Sequence, residues 1–228
     1  MTGAAGRTAL LAGGSGLVGG LAIPHLLAPE AFDRVIALGR RPLPERAGLD
    51  PRTVDFARLG AEPPVPASAA ICALGTTIRK AGSPASFRAV DVEAVVAFAR
   101  WARAGGAATF VLVSSVGASP GSSNFYLRCK GEAEEAVAGL GFARFVSLRP
   151  GLLLGARGEA RPGEAIGRVL TPLVNPLLQG PLRRYRGIEA DAVAAAAARA
   201  ALDPVPGRFA WEYGALLSGG PRPPRSRE

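Results

Sequence analysis

Apolar residues in this chain fall in blocks. Near-continuous apolar runs at residues 8–12, 34–38, 69–74, 109–113 and 144–148 stand between longer segments in which apolar side chains recur every three or four positions. Residues 84–104 show the second pattern clearly, with Phe87, Val90, Val95, Phe98 and Trp101 at helical spacing and Gly105-Gly106 closing the segment. Residues 17–27 and 125–138 also have helical length, closed by Pro29 and Gly139. A further strand is predicted over 53–56. Unbroken apolar strands separated by helices predict a parallel sheet covered on both faces. The expected class is therefore α/β, a doubly wound parallel sheet with ligands at the carboxyl ends of its strands.

The pattern changes at Gly151. Glycine and proline interrupt it up to Gly187, after which residues 188–202 predict one alanine-rich helix. We read residues 1–218 as a single domain, with 151–218 a small substrate-side extension. The Pro/Arg/Ser-rich stretch 219–228 is expected to be a disordered tail. The 228 residues suffice for a full core. Twenty-seven basic against 18 acidic residues give +9. The bases are dispersed from Arg7 to Arg227 without basic–aromatic interleaving, so a nucleic-acid partner is not expected. No apolar stretch approaches the roughly 20 residues of a membrane helix, and no membrane partner is expected. One histidine and two cysteines supply too few soft ligands for zinc, and no metal is expected. Cys72 and Cys129 lie in apolar surroundings, which points to a reduced, cytoplasmic setting.

Between the first strand and first helix lies Gly13-Gly14-Ser15-Gly16-Leu17-Val18-Gly19. Glycines at this spacing let the backbone turn tightly and approach a pyrophosphate held at a helix N-terminus. The second strand ends Gly39-Arg40-Arg41, with no acid for a ribose 2′-hydroxyl. Two guanidiniums there suit a 2′-phosphate, so NADP(H) is preferred over NAD(H).

After the fifth strand come Ser114 and Ser115, then Tyr126 and Lys130 four residues apart on one helix face. A free phenol, with a pKa of about 10, is a poor proton carrier near neutrality. A neighbouring ammonium favours its charged form. A strand-end serine would hold the substrate oxygen while Tyr126 moves the proton. Only Lys80 and Lys130 among the 27 basic residues are lysines, which makes an ammonium at this position conspicuous.

Together these residues resemble the short-chain dehydrogenase/reductase superfamily, whose fold is Rossmann-like. The likeness is closest to its atypical branch of Tat-interacting-protein oxidoreductases. It rests on the glycine turn, Gly39-Arg40-Arg41, Val54-Asp55-Phe56, Leu74-Gly75-Thr76-Thr77, Lys80-Ala81-Gly82, Ser122-Ser123-Asn124-Phe125, Tyr126-x-x-x-Lys130-Gly131-Glu132, Arg149-Pro150-Gly151 and Arg161-Pro162-Gly163-Glu164. The resemblance implies that Gly13, Ser15, Gly16, Leu17 and Val18 line the pyrophosphate and Arg40 and Arg41 the 2′-phosphate. Asp55 and Phe56 would border the adenine, and Leu74, Gly75 and Thr76 would pass beneath the cofactor. Tyr126 would be the acid–base residue, Lys130 its ribose-binding partner, and Ser115, with Ser114 as alternative, the polarising serine. The superfamily's supporting asparagine has no clear match; Asp91 falls near its position.

The function implied is NADPH-dependent hydride transfer to or from a small carbonyl or alcohol. A non-catalytic NADP(H)-binding module docking a protein partner is the alternative, and a sugar-nucleotide epimerase or dehydratase a further one. A homodimer is left open. His25, Trp101 and Trp211 are expected to serve packing or surface. Arg157, Arg161 and Arg183–Arg186 are expected to be solvated.

Overall fold

Each inner strand carries apolar side chains on both of its faces, so the sheet must be covered on both sides. The computed structural model, which describes residues 7–155 and 178–220, has that form. Its strands are β1 (Thr8–Ala12), β2 (Arg34–Gly39), β3 (Leu49–Thr53), β4 (Ala69–Cys72), β5 (Thr109–Val113), β6 (Arg144–Leu148), β7 (Leu153–Leu154), β8 (Ile188–Glu189) and β9 (Gly207–Trp211). Seven form one sheet in the order β3-β2-β1-β4-β5-β6-β9, and every pairing is parallel. β7 and β8 make a separate parallel pair.

The helices are α1 (Leu17–Leu26), α2 (Ile78–Ala81), α3 (Pro84–Arg88), α4 (Ala94–Ala104), α5 (Phe125–Ala138), α6 (Ala190–Leu202) and α7 (Tyr213–Ser218). Consecutive strand residues point to opposite faces. Leu11 joins Val35, Ile71 and Val146 under α1 and α6, and Leu10 joins Ile36, Phe98, Phe110 and Phe145 under α4 and α5. Each such buried side chain contributes about 1.5–3 kcal/mol. The strand order reverses between β1 and β4, and in sheets of this kind ligands bind outside the carboxyl ends of the strands at that point.

The structure corrects three expectations. The strand anticipated over 53–56 lies instead at Leu49–Thr53. Its sequence, Leu-Asp-Pro-Arg-Thr, has no apolar run, and Pro51 is tolerated because β3 is an edge strand. The helix anticipated over 84–104 is interrupted by a π-turn at Ala89–Glu93. That wider turn carries a buried carboxylate, Asp91, into the interior. Finally, β9 and α7 were not foreseen. The edge strand Gly-Arg-Phe-Ala-Trp is mostly exposed and gives no strong pattern. The segment 156–177, with Arg157, Arg161 and the Arg161–Glu164 motif, lies outside the described residues, as do 221–228 of the expected tail.

Candidate active site

The glycine turn joins β1 to α1. Gly13 adopts φ +88°, and a Cβ there would stand 2.6 Å from the Ala73 carbonyl oxygen. A Cβ on Gly19 would meet the Gly13 oxygen at 2.2 Å. Only glycine satisfies both positions. Gly16 caps α1 through its backbone alone, with no side chain on the helix's first N–H groups and no acid in its first turn. Ser15 and Gly16 are exposed, Leu17 is half-buried and Val18 lies in the core. A cradle left open by glycine, ahead of a helix N-terminus that carries neither a capping side chain nor an acid, fits a pyrophosphate.

Arg40 and Arg41 stand exposed beyond β2. Asp55 is exposed and accepts the Ala57 N–H at 3.0 Å. Phe56 belongs to the core under β1 and β2, only 6% exposed. Leu74, Gly75 and Thr76 leave the carboxyl end of β4.

Asn124 begins α5, its side-chain oxygen accepting the Leu127 N–H at 3.1 Å. From that start Tyr126 and Lys130 follow on one face. Tyr126 is half-buried, its ring 5.8 Å from that of Phe87 and tilted by 57°. Lys130 is buried, and its Nζ lies 2.7 Å from Asp91 Oδ1. The other Asp91 oxygen accepts the Thr76 N–H at 2.8 Å. The turn after β4 rests on this ion pair: a Cβ on Gly75 would lie 3.4 Å from Asp91 Oδ1 and 3.5 Å from Lys130 Nζ. Burial alone would lower the Lys130 pKa; the Asp91 carboxylate and Tyr126 outweigh it, and the net shift is upward. Nearby, burial pushes the Cys72 thiol up to about 12.

Ser114 and Ser115 differ in their surroundings. Ser114 N–H donates to Leu148 O at 2.8 Å and Val116 N–H to Pro150 O at 2.9 Å, extending the β5–β6 ladder past both strands. The Ser114 hydroxyl is buried and donates to Glu134 Oε1 at 2.5 Å. Ser115 is half-buried, its hydroxyl 3.3 Å from Val116 O.

The sequence reading missed Glu134 and the role of Arg149. Glu134 is buried on α5 with two hydrogen bonds from Arg149, Nε at 3.0 Å and Nη2 at 2.5 Å. The signal was present: Lys130, Ala133, Glu134 and Val137 form the buried stripe of α5, so a carboxylate there stands at an apolar position. Gly131, within Lys130-Gly131-Glu132, carries no chemistry of its own in the sequence. A Cβ on it would lie 2.2 Å from Ser119 C, so it lets the loop carrying the serines cross α5 in contact.

His25 Nε2 lies 2.9 Å from Asp191 Oδ1, linking α1 to α6. Trp101 and Trp211 are buried in the two core layers. The guanidiniums of Arg183 and Arg186 lie 5.7 Å from the ring centre of Tyr213. No described helix is long and apolar enough to cross a membrane.

Parallel strand order, glycine turn and the Tyr126/Lys130 helix define a Rossmann-fold protein of the short-chain dehydrogenase/reductase type. The chain is 38% identical to protein fmp52, mitochondrial, of Aspergillus fumigatus over 86% of its own length and 88% of that protein's. It is 39% identical to protein HTATIP2 of Rattus norvegicus over 71% of its length and 69% of that protein's. It belongs to this HTATIP2/fmp52 family, an atypical branch of the superfamily. No protein-family model matches the chain. Among solved structures, MoeE5 in complex with UDP-glucose and NAD superposes with TM-score 0.67 at 17% identity, over 92% of this chain and 80% of that one. UDP-glucose 4-epimerase of Thermotoga maritima gives TM-score 0.67 at 13% identity, over 91% and 77%. These two share the fold.

The relatives overturn one expectation. Several fungal members carry the name "mitochondrial", against the cytoplasmic setting inferred from the cysteines. Two buried thiols indicate only a place where they stay reduced, and composition carries no finer address.

Proposed function

We propose that this protein is an NADP(H)-dependent oxidoreductase that interconverts a small carbonyl compound and its alcohol. The observation that carries the reading is the junction at the carboxyl ends of β4 and β5. There α5 sets Tyr126 one helical turn from Lys130, and Lys130 supports the Gly75 turn. Bound coenzyme would supply or accept the hydride at the carbonyl carbon. Tyr126 gives its hydroxyl proton to the carbonyl oxygen during reduction and takes one back during oxidation. Ser115 orients that oxygen; the engagement of Ser114 with Glu134 supports this choice. Lys130 orients the ribose side of the coenzyme. Arg40 and Arg41 take the 2′-phosphate, which selects NADP(H) over NAD(H). Structural neighbours solved with NAD and the HTATIP2/fmp52 kinship support a nicotinamide coenzyme.

One observation favours a second reading, coenzyme sensing without turnover. The Asp91 carboxylate already pairs with Lys130 at 2.7 Å, so the ammonium is not left to the phenol alone. The test begins with calorimetric titration of NADPH and NADH into the pure chain. NADPH oxidation is then followed across aromatic aldehydes and quinones, with Tyr126→Phe beside the native chain. We expect tighter NADPH binding and a 10²–10⁴-fold loss of kcat in the variant. Undiminished turnover in Tyr126→Phe refutes the acid–base role. Coenzyme binding without turnover on any carbonyl supports sensing.

A further inference from the structure

Three pieces of the proposed site arrive from different elements. Ser115 lies beyond β5, Tyr126 and Lys130 lie on α5, and β6 ends at the Arg149–Gly151 turn. One buried carboxylate on α5, Glu134, bonds Ser114 beyond β5 and Arg149 beyond β6. Glu134 follows Lys130 by four residues on the inward face of α5 and is 2% exposed. Its Oε1 accepts the Ser114 hydroxyl at 2.5 Å and Arg149 Nε at 3.0 Å; its Oε2 accepts Arg149 Nη2 at 2.5 Å. Ser114 and Arg149 stand at the continuation of the β5–β6 ladder, where Ser114 N–H meets Leu148 O. Arg149 is also fixed by its own N–H, which donates to Trp211 O at 2.8 Å.

A carboxylate this buried is stable only when its oxygens are satisfied by charge-assisted bonds. Here the three bonds go to the end of β5 and the end of β6, and to no other helix. The effect is geometric: they set the distance between the strand end bearing Ser115 and the helix bearing Tyr126.

We propose that Glu134 is a positioning residue for the proton transfer, acting through Ser114 and Arg149 to hold Ser115 in register with Tyr126. The inference rests on the oxidoreductase reading above. Misplacement by about 1 Å costs roughly 10²-fold in an oriented reaction. Glutamine at position 134 keeps the volume and one acceptor but presents an amide N–H₂ to the Arg149 fork or to Ser114. Coenzyme contacts on the glycine turn are untouched.

The experiment measures native chain, Glu134→Gln and Glu134→Asp in NADPH oxidation with the aromatic aldehyde and quinone panel. Circular dichroism, NADPH affinity by calorimetry and the isotope effect with 4-deuterated NADPH accompany it. The expected result for Glu134→Gln is a 10–100-fold fall in kcat and a larger isotope effect, with NADPH affinity within threefold of native. Glu134→Asp, which keeps the charge, should recover part of the loss. Should Glu134→Gln fail to fold, Ser114→Ala removes only the hydroxyl link and should lower kcat about 3–10-fold at unchanged NADPH affinity. A kcat within twofold of native in a folded variant, or a loss carried wholly by NADPH affinity, overturns the inference while the oxidoreductase reading stands. A native chain without turnover removes both.

Discussion

Consider Asp91→Asn. The native carboxylate is fully buried and lies 2.7 Å from an ammonium that is itself only 6% exposed. At an effective dielectric of 20 the attraction at this distance is about 6 kcal/mol. Desolvation of both charges offsets most of that sum, so the intact pair adds little net stability. Breaking it is another matter, because Lys130 would remain buried beside an amide. Loss of one partner from a buried pair costs about 3–5 kcal/mol. The amide oxygen of the variant side chain could still accept the Thr76 N–H, so this cost is chiefly the unpaired ammonium. For a chain of this length that corresponds to a fall in Tm of roughly 6–20 °C. Urea unfolding followed by far-UV circular dichroism gives the free energy, with Lys130→Met and the double variant completing the cycle. The double variant should be at least as stable as either single one. The difference between native and Asp91→Asn should also depend on pH in a defined sense. The Lys130 pKa is raised above its ordinary 10.5; the pair's contribution is thus fully present on the acid side of 10.5 from this group and is lost as pH climbs through the folded value. A loss under about 1 kcal/mol at pH 7, or additive single effects, would refute this reasoning.

Two further outcomes follow from buried groups and close backbone approach. Both cysteines are fully buried, and burial pushes the Cys72 thiol up to about 12; a chromogenic disulfide should titrate no thiols in the native chain at pH 8 and both in urea, and rapid native reaction would contradict this. Gly131→Ala would place a methyl 2.2 Å from Ser119 C and 2.3 Å from Pro120 N; it should cost at least the about 1–3 kcal/mol of ordinary overpacking, whereas Gly60→Ala, with open space around it, should leave Tm unchanged. Equal melting of the two variants would count against the loop crossing.

The inner strands were legible because apolar runs of five residues admit few other structures. β3 and β9 were not, since edge strands bury less and tolerate Pro51 and exposed Arg208. The long helix was read correctly in extent, but periodicity of 3.6 has no way to register a π-turn. Among the candidate site residues, the glycine turn was visible through its spacing, and the placing of Tyr126 and Lys130 on one helix through their separation. Glu134 stayed hidden because its partners, Ser114 and Arg149, are 20 and 15 residues away. Contacts of that kind are made by tertiary packing and leave no local rhythm.

The helix after the glycine turn has its packing partner far along the chain. α1 lies against α6, and the pair His25–Asp191 spans 166 positions. At about 5–20 residues per second, a ribosome needs roughly 8–33 s to travel between them. For that interval Val18, Ala22, Ile23 and Leu26 have no cover from α6. A nascent chain of this design spends its early life with a sticky flank, and chaperone holdases would find their natural handle there.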